Sequence, residues 1–181
     1  MQASDWQYVI RSEHLDRYWL PLPHAYPLAL VSAYTSFDLS FLTVVWKSKD
    51  EFLQSIQSAL ESEPLESGLP HPVEGTVRNA LRDPRTRRWI RAAILENFET
   101  SFAADLLRCI GRTEYWLVGG WGIQLAEAAL ASRSVEVRDA SLQALEAWGR
   151  PSLDALRAHL GREQTNWLRA YADQVIRELQ A

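Results

Sequence analysis

Four histidines, one cysteine and a run of arginines are the side chains here whose types and spacing could do chemistry. His14, His24, His71 and His159 lack metal-ligand spacing: there is no H-E-x-x-H and no cysteine pair. His24 and His71 sit beside prolines in loop-like stretches, and His159 falls in an otherwise apolar helical pattern. Cys109 lies beside Leu106 and Ile110 on the apolar side of its pattern, which predicts a buried, unreactive thiol. There is no G-x-S-x-G, and no serine or cysteine has a recognisable partner base. The segment VGGWG, residues 118–122, lacks the Lys-Ser/Thr of a phosphate loop and the G-x-G-x-x-G spacing, and it reads as a close-packed entry into a helix over 121–131. These residues predict no catalytic group, no metal and no cofactor.

The strongest charge feature is an arginine cluster: Arg78, Arg82, Arg85, Arg87, Arg88 and Arg91, with Trp89 among them. Arg82, Arg85, Arg87, Arg88 and Arg91 could together contact phosphates. The competing expectation is a solvated helix face balanced by acids elsewhere. Residues 1–75 carry Arg11, Arg17, Lys47 and Lys49 against ten acids, and the whole chain has a net charge of −4. That balance favours the solvated face and argues against a nucleic-acid partner.

A chain of 181 residues can bury a full core, and eight tryptophans must be packed or engaged with a partner. One cysteine excludes an intrachain disulfide. Asp5, Arg11 and Glu13 interrupt the stretch where a signal peptide needs continuous apolar residues, and the longest clearly apolar run, Phe41 to Trp46, is far too short for a membrane span. The expected location is cytoplasmic, with no membrane partner.

The elements behind these residues are mostly helical. In VEVRDASLQALEAWG, Val137, Ala140, Ser141, Ala144, Leu145 and Trp148 recur at spacings of three and four. Ser134 is placed to cap this helix, Gly149 to end it and Pro151 to begin the next, over PSLDALRAHLG. Thr165 is expected to cap NWLRAYADQVIRELQ, with Leu168, Tyr171, Ala172, Val175, Ile176 and Leu179 on one stripe. Further helices are predicted over 50–62, 72–82, 86–98 and 101–111, giving eight helices in four pairs. Residues 65–75 read as a connector between an N-terminal cap over 1–64 and helical repeats over 76–181. DWQYVI and LSFLTVVW are rich in β-branched and aromatic residues, so the cap is expected to hold one or two short strands.

A shift of 31 residues superimposes Arg138, Ser141, Ala144, Leu145 and Trp148 on Arg169, Ala172, Val175, Ile176 and Leu179. A period of this length with two helices per unit marks an α-solenoid, since one pair cannot bury its apolar face alone. VEVRDASLQALEAWG resembles the second helix of a HEAT repeat, and WLRAYADQVIREL is similar to a weaker copy. The resemblance covers residues 120–181 and implies a mainly α protein, a right-handed stack of antiparallel helix pairs. Where the family often has an Asp before its Val-Arg pair, this chain has Ser134. The Asp–Arg ladder that the resemblance implies therefore lacks its acid there.

The resemblance also implies that the second helix of each pair lines the concave side. Glu136, Asp139, Gln143 and Glu146, then Asp173 and Arg177, would form a largely acidic strip on that side. It would suit another protein with a basic surface. The expectation is a non-catalytic protein-binding module, such as a bacterial immunity or adaptor protein. The alternative is a nucleic-acid-binding HEAT-like protein of the alkylpurine DNA glycosylase type, for which only the arginine cluster and the tryptophans speak.

Overall fold

A computed structural model describes residues 46–66 and 69–181. These residues are mainly helical, with eight α-helices: α1 (Lys49–Ser62), α2 (Pro72–Ala80), α3 (Pro84–Glu96), α4 (Ser101–Gly111), α5 (Tyr115–Ala129), α6 (Val135–Trp148), α7 (Leu153–Leu160) and α8 (Asn166–Gln180). The strands expected in DWQYVI and LSFLTVVW fall, but for Trp46, outside the described residues. A compact unit runs from Trp46 to Ala181 and includes α1, whose Phe52, Ile56 and Leu60 join the same core as the later helices. Within the stretch 65–75 read as connector, the helix α2 already begins at Pro72.

The helix starts follow from local chemistry. Ser48 accepts from Glu51 N, Asp83 from Arg85 N, Thr100 from Ala103 N and Ser134 from Val137 N, each satisfying a first-turn donor that the helix leaves without a partner. Pro84 opens α3, so that helix starts two residues before the expected 86. His71, read from sequence as a loop residue, caps α2. Its Nδ1 accepts from Val73 N at 3.1 Å, its Nε2 meets Glu63 O at 2.8 Å, and Glu74 returns a bond to its backbone N–H.

One expectation at a helix start is corrected and another is extended. Thr165 precedes α8 but makes no capping hydrogen bond, because its hydroxyl accepts from Arg138 Nη2 at 2.9 Å instead. VGGWG does hold a helix entry: Gly119, at φ 53 and ψ −151, a conformation only glycine adopts without strain, divides α5 into a short first segment from Tyr115, which the sequence did not predict, and a longer one that runs on to Ala129. Close packing is also present at Gly122, where an added Cβ would lie 2.9 Å from Val118 Cβ and 3.0 Å from Trp148 Cη2.

Packing follows chain order. α1 touches α2, α3 touches α4, α5 touches α6 and α7 touches α8, which are the four expected pairs. Each pair also meets the next, through α1–α3, α3–α5 and α5–α7 and through α2–α4, α4–α6 and α6–α8. The α4–α6 contact is the most extensive, and it is a backbone-level approach: a Cβ on Gly111 would fall 2.8 Å from Ala144 Cα. Trp148 is 4% exposed, and its Nε1 donates to Thr113 O at 3.1 Å, so the largest side chain of α6 is buried with its polar atom satisfied. Gly149 ends α6 at φ 74, and a single 3₁₀ turn over Arg150–Ser152 leads into α7.

Candidate functional site

Of the residues expected to form an acidic strip, Glu136, Gln143 and Arg177 are exposed, while Asp139, Glu146 and Asp173 are half-buried. Glu136 accepts from Arg108 of α4 at 3.2 Å, and Arg108 also holds Asp105 at 2.9 Å. At the other end of α6, Glu146 accepts the Tyr171 hydroxyl of α8. Burial, then the hydrogen bond and charge of Glu146, push the Tyr171 phenol well above its ordinary pKa, so it remains a donor. Asp139 and Gln143 bond to each other at 2.8 Å, and Asp173 pairs with Arg177 at 2.7 Å. The strip is thus a continuous polar face of α6 tied to α4 at one end and α8 at the other. Glu146 serves the α6–α8 contact, which the sequence pattern did not reveal.

The arginine cluster does not act as one group. Arg87 turns inward: its Nε donates to Leu81 O and its Nη2 to Leu117 O at 3.1 Å. Arg78 pairs with Glu114 at 3.2 Å. Arg85 lies 5.1 Å above the Trp89 ring, pairs with Asp83 at 3.5 Å and reaches Trp46 O. Arg82, Arg88 and Arg91 are exposed and form no ion pair among the described residues. Cys109 is fully buried, and that burial pushes its thiol up to about 12, which keeps it protonated.

Sequence reasoning missed a second site. Arg138, the fourth residue of α6, uses all five guanidinium donors. Nη1 reaches Ser132 O and Arg133 O at 3.0 Å each. Nε and Nη2 form a fork on Glu163 at 2.9 and 3.1 Å, and Nη2 also reaches Thr165. Glu163, 4% exposed, further accepts Thr165 N at 2.8 Å and meets His159 Nε2 at 2.9 Å. Burial alone would raise the Glu163 pKa, but the hydrogen bonds from Arg138 and Thr165 and the charge of Arg138 outweigh it and hold the carboxyl down to about 2. An ionised Glu163 has no proton to give, so His159 Nε2 carries the hydrogen of that bond. Arg138 and Glu163 thus join α6 to the loop that follows α7.

This quartet forms one wall of a groove of about 500 Å³ at the α5–α6 and α7–α8 turns, lined further by Glu127, Arg133 and Arg162. The signals that could have found it were His159 and Glu163 spaced by four across a helix end, and Arg138 in the first turn and a half of α6. Among the described residues, no helix is long and apolar enough to cross a membrane. Comparison with protein-family models, curated proteins and solved structures finds no match for the chain.

Proposed function

We propose that residues 46–181 form a HEAT-like α-solenoid and that the chain is a non-catalytic module binding another protein through the polar face of α4, α6 and α8. The architecture is supported by the order of contacts, in which odd helices meet odd, even meet even, and each pair touches its neighbours; this is how repeat stacks bury apolar faces that single pairs cannot. The function rests on one observation. Glu136, Asp139, Gln143 and Glu146 make a mainly acidic face on α6 that runs between Arg108 of α4 and Tyr171 of α8. Such a face, concave in a stack of this kind, suits a protein partner with a basic surface. Small size, acidity and the lack of catalytic motifs fit the role of a bacterial immunity or adaptor protein in the cytoplasm.

The test is covalent capture. A photo-crosslinking residue at Gln143, exposed on the face, should trap a defined protein in cells of the source organism, while one at Gln57, exposed on α1, should not. Equal capture at both positions, or none at Gln143, overturns the reading.

A further inference from the structure

Arg138 and Glu163 have no hydrogen-bonding capacity left for a ligand: five donors and both carboxylate oxygens are already engaged. The wall they form is therefore rigid and preorganised, and recognition falls to what surrounds it. His159 is 7% exposed and lines the groove. Its Nε2–H is committed to Glu163, and its Nδ1 has no partner among the described residues. Arg133 and Arg162 both line the groove, are exposed and make no ion pair among the described residues. With Arg138 and Glu163 cancelling each other, the remaining fixed charges are these two guanidiniums against the single exposed carboxylate of Glu127.

We propose that this groove is a binding site for a small ligand bearing a phosphate or carboxylate group, held by Arg133 and Arg162 and by Nδ1 of His159. Arginine forks match the planar or tetrahedral oxygens of such groups. A groove of about 500 Å³ lies within the range that encloses small molecules, and its mostly polar lining, with Leu130 and Ala155 among the apolar members, suits a charged ligand. With the hydrogen on Nε2, His159 Nδ1 is an acceptor for a hydroxyl of the ligand. The site shares no residue with the acidic strip and stands or falls independently of the protein partner.

The test is titration of the full chain with inorganic phosphate and with citrate at constant ionic strength, followed by calorimetry and by amide shifts. Saturable binding of either probe is expected, with shifts confined to residues around 131–133 and 159–165. The Arg133→Gln/Arg162→Gln double variant should weaken it about tenfold or more while unfolding at the same urea concentration, since both side chains are exposed. The control Arg88→Gln/Arg91→Gln on α3 should bind as the unaltered chain does. Binding of phosphate alone assigns the ligand to phosphate esters, and of citrate alone to carboxylates. The proposal is overturned if neither probe saturates at millimolar concentration, if the groove variant binds normally, or if the α3 variant loses binding instead.

Discussion

Arg138 and Glu163 are joined by two parallel hydrogen bonds, Nε to Oε2 at 2.9 Å and Nη2 to Oε1 at 3.1 Å, with side chains only 12% and 1% exposed. The pair fastens α6 to the turn between α7 and α8, and through Ser132 O and Arg133 O also to the end of α5. Arg87 makes a related contact from the same position in α3: it reaches back six residues to Leu81 O, as Arg138 does to Ser132 O, and forward to Leu117 O. An arginine four residues into a helix thus serves twice as a rivet between consecutive elements. The side chain of Arg169, at the same position in α8, bonds among the described residues to Asn166 alone.

The buried carboxylate makes stability depend on acid pH. The Glu163 pKa falls from an ordinary 4.5 to about 2 on folding, so its contribution is complete above pH 4.5 and is lost as pH falls towards 2. The shift corresponds to roughly 3 kcal/mol. Glu163→Gln should cost about 3–5 kcal/mol at pH 7 because it leaves Arg138 buried without its counter-charge. Urea midpoints of both chains between pH 7 and 2.5 should converge as the pH drops. A constant gap would show that Glu163 is not held ionised by Arg138.

Glycines at close approaches give a second test. Gly111→Ala places a methyl 2.8 Å from the Ala144 backbone, and backbone cannot step aside, so a loss of about 1–3 kcal/mol is expected. Gly75→Ala meets nothing within 4 Å and lies within α2, so it should be neutral or stabilising by up to ~1 kcal/mol. Denaturant melts of the two variants should move in these opposed directions. Equal effects would mean that α4 and α6 do not approach as closely as Gly111 and Ala144 require.

These contrasts show what could be read from sequence and what could not. The starts of α1, α4 and α6 were legible because caps and prolines act within three residues, and the stripe ending at Trp148 because its period is local. Gly149 ends its helix at positive φ, as its type suggests, but Gly111, the last residue of α4, is needed without a side chain by Ala144, 33 positions away. The break at Gly119 was legible as a boundary, whereas the short helical segment from Tyr115 that precedes it was not. The groove escaped because its quartet joins residues up to 27 apart through a turn, and periodicity says nothing of how a turn folds back. The arginine cluster was legible as charge but not as geometry, since composition cannot tell that Arg87 turns inward.

Trp148 should be the most sensitive single position of α6. Trp148→Ala removes a side chain that is 96% buried against Gly122, and it should cost about 3–5 kcal/mol. Trp148→Phe retains most of the apolar burial but strands Thr113 O, and should cost about half as much. Urea unfolding followed by circular dichroism measures both, and an unchanged midpoint in the alanine variant would place Trp148 on the surface.

Nucleic acid should bind no tighter than the non-specific range of ~10⁻⁴–10⁻⁶ M at physiological salt. Arg87 is committed to backbone carbonyls and Arg78 and Arg85 to acids, which leaves Arg82, Arg88 and Arg91 as the exposed remainder of the cluster. Fluorescence anisotropy with duplex and single-stranded DNA at two salt concentrations tests this. Submicromolar, saturable binding that disappears in Arg82→Gln/Arg88→Gln/Arg91→Gln would instead favour the nucleic-acid alternative. Arg87 must be left intact in such a variant, because its removal would disturb the α3–α5 contact rather than a phosphate site.

The acidic face makes a kinetic prediction once its partner is trapped. Of the acids on this face, Glu146 accepts the Tyr171 hydroxyl across α6 and α8, so a lysine there would strand a half-buried donor. The fold-preserving variant is therefore Glu136→Lys/Asp139→Lys, which leaves that contact alone. Against a basic partner, long-range attraction accelerates encounter, so the double variant should slow association by about tenfold at low salt while changing dissociation little. Raising the salt to 0.5 M shortens the screening length to roughly 4 Å and should bring the two chains' association rates together. The charges set the rate and not the anchor, because exposed ion pairs contribute about 0–1 kcal/mol each. Most of the affinity should then lie in apolar contacts, and Trp167, 54% exposed at the start of α8, is the largest exposed apolar side chain on α4, α6 and α8. Trp167→Ala should accordingly raise the dissociation rate with little effect on association, the inverse of the charge variant. Stopped-flow association at two ionic strengths and dissociation by competitor displacement separate the two. Association rates that are unchanged in Glu136→Lys/Asp139→Lys at low salt would remove the α6 face as the interface.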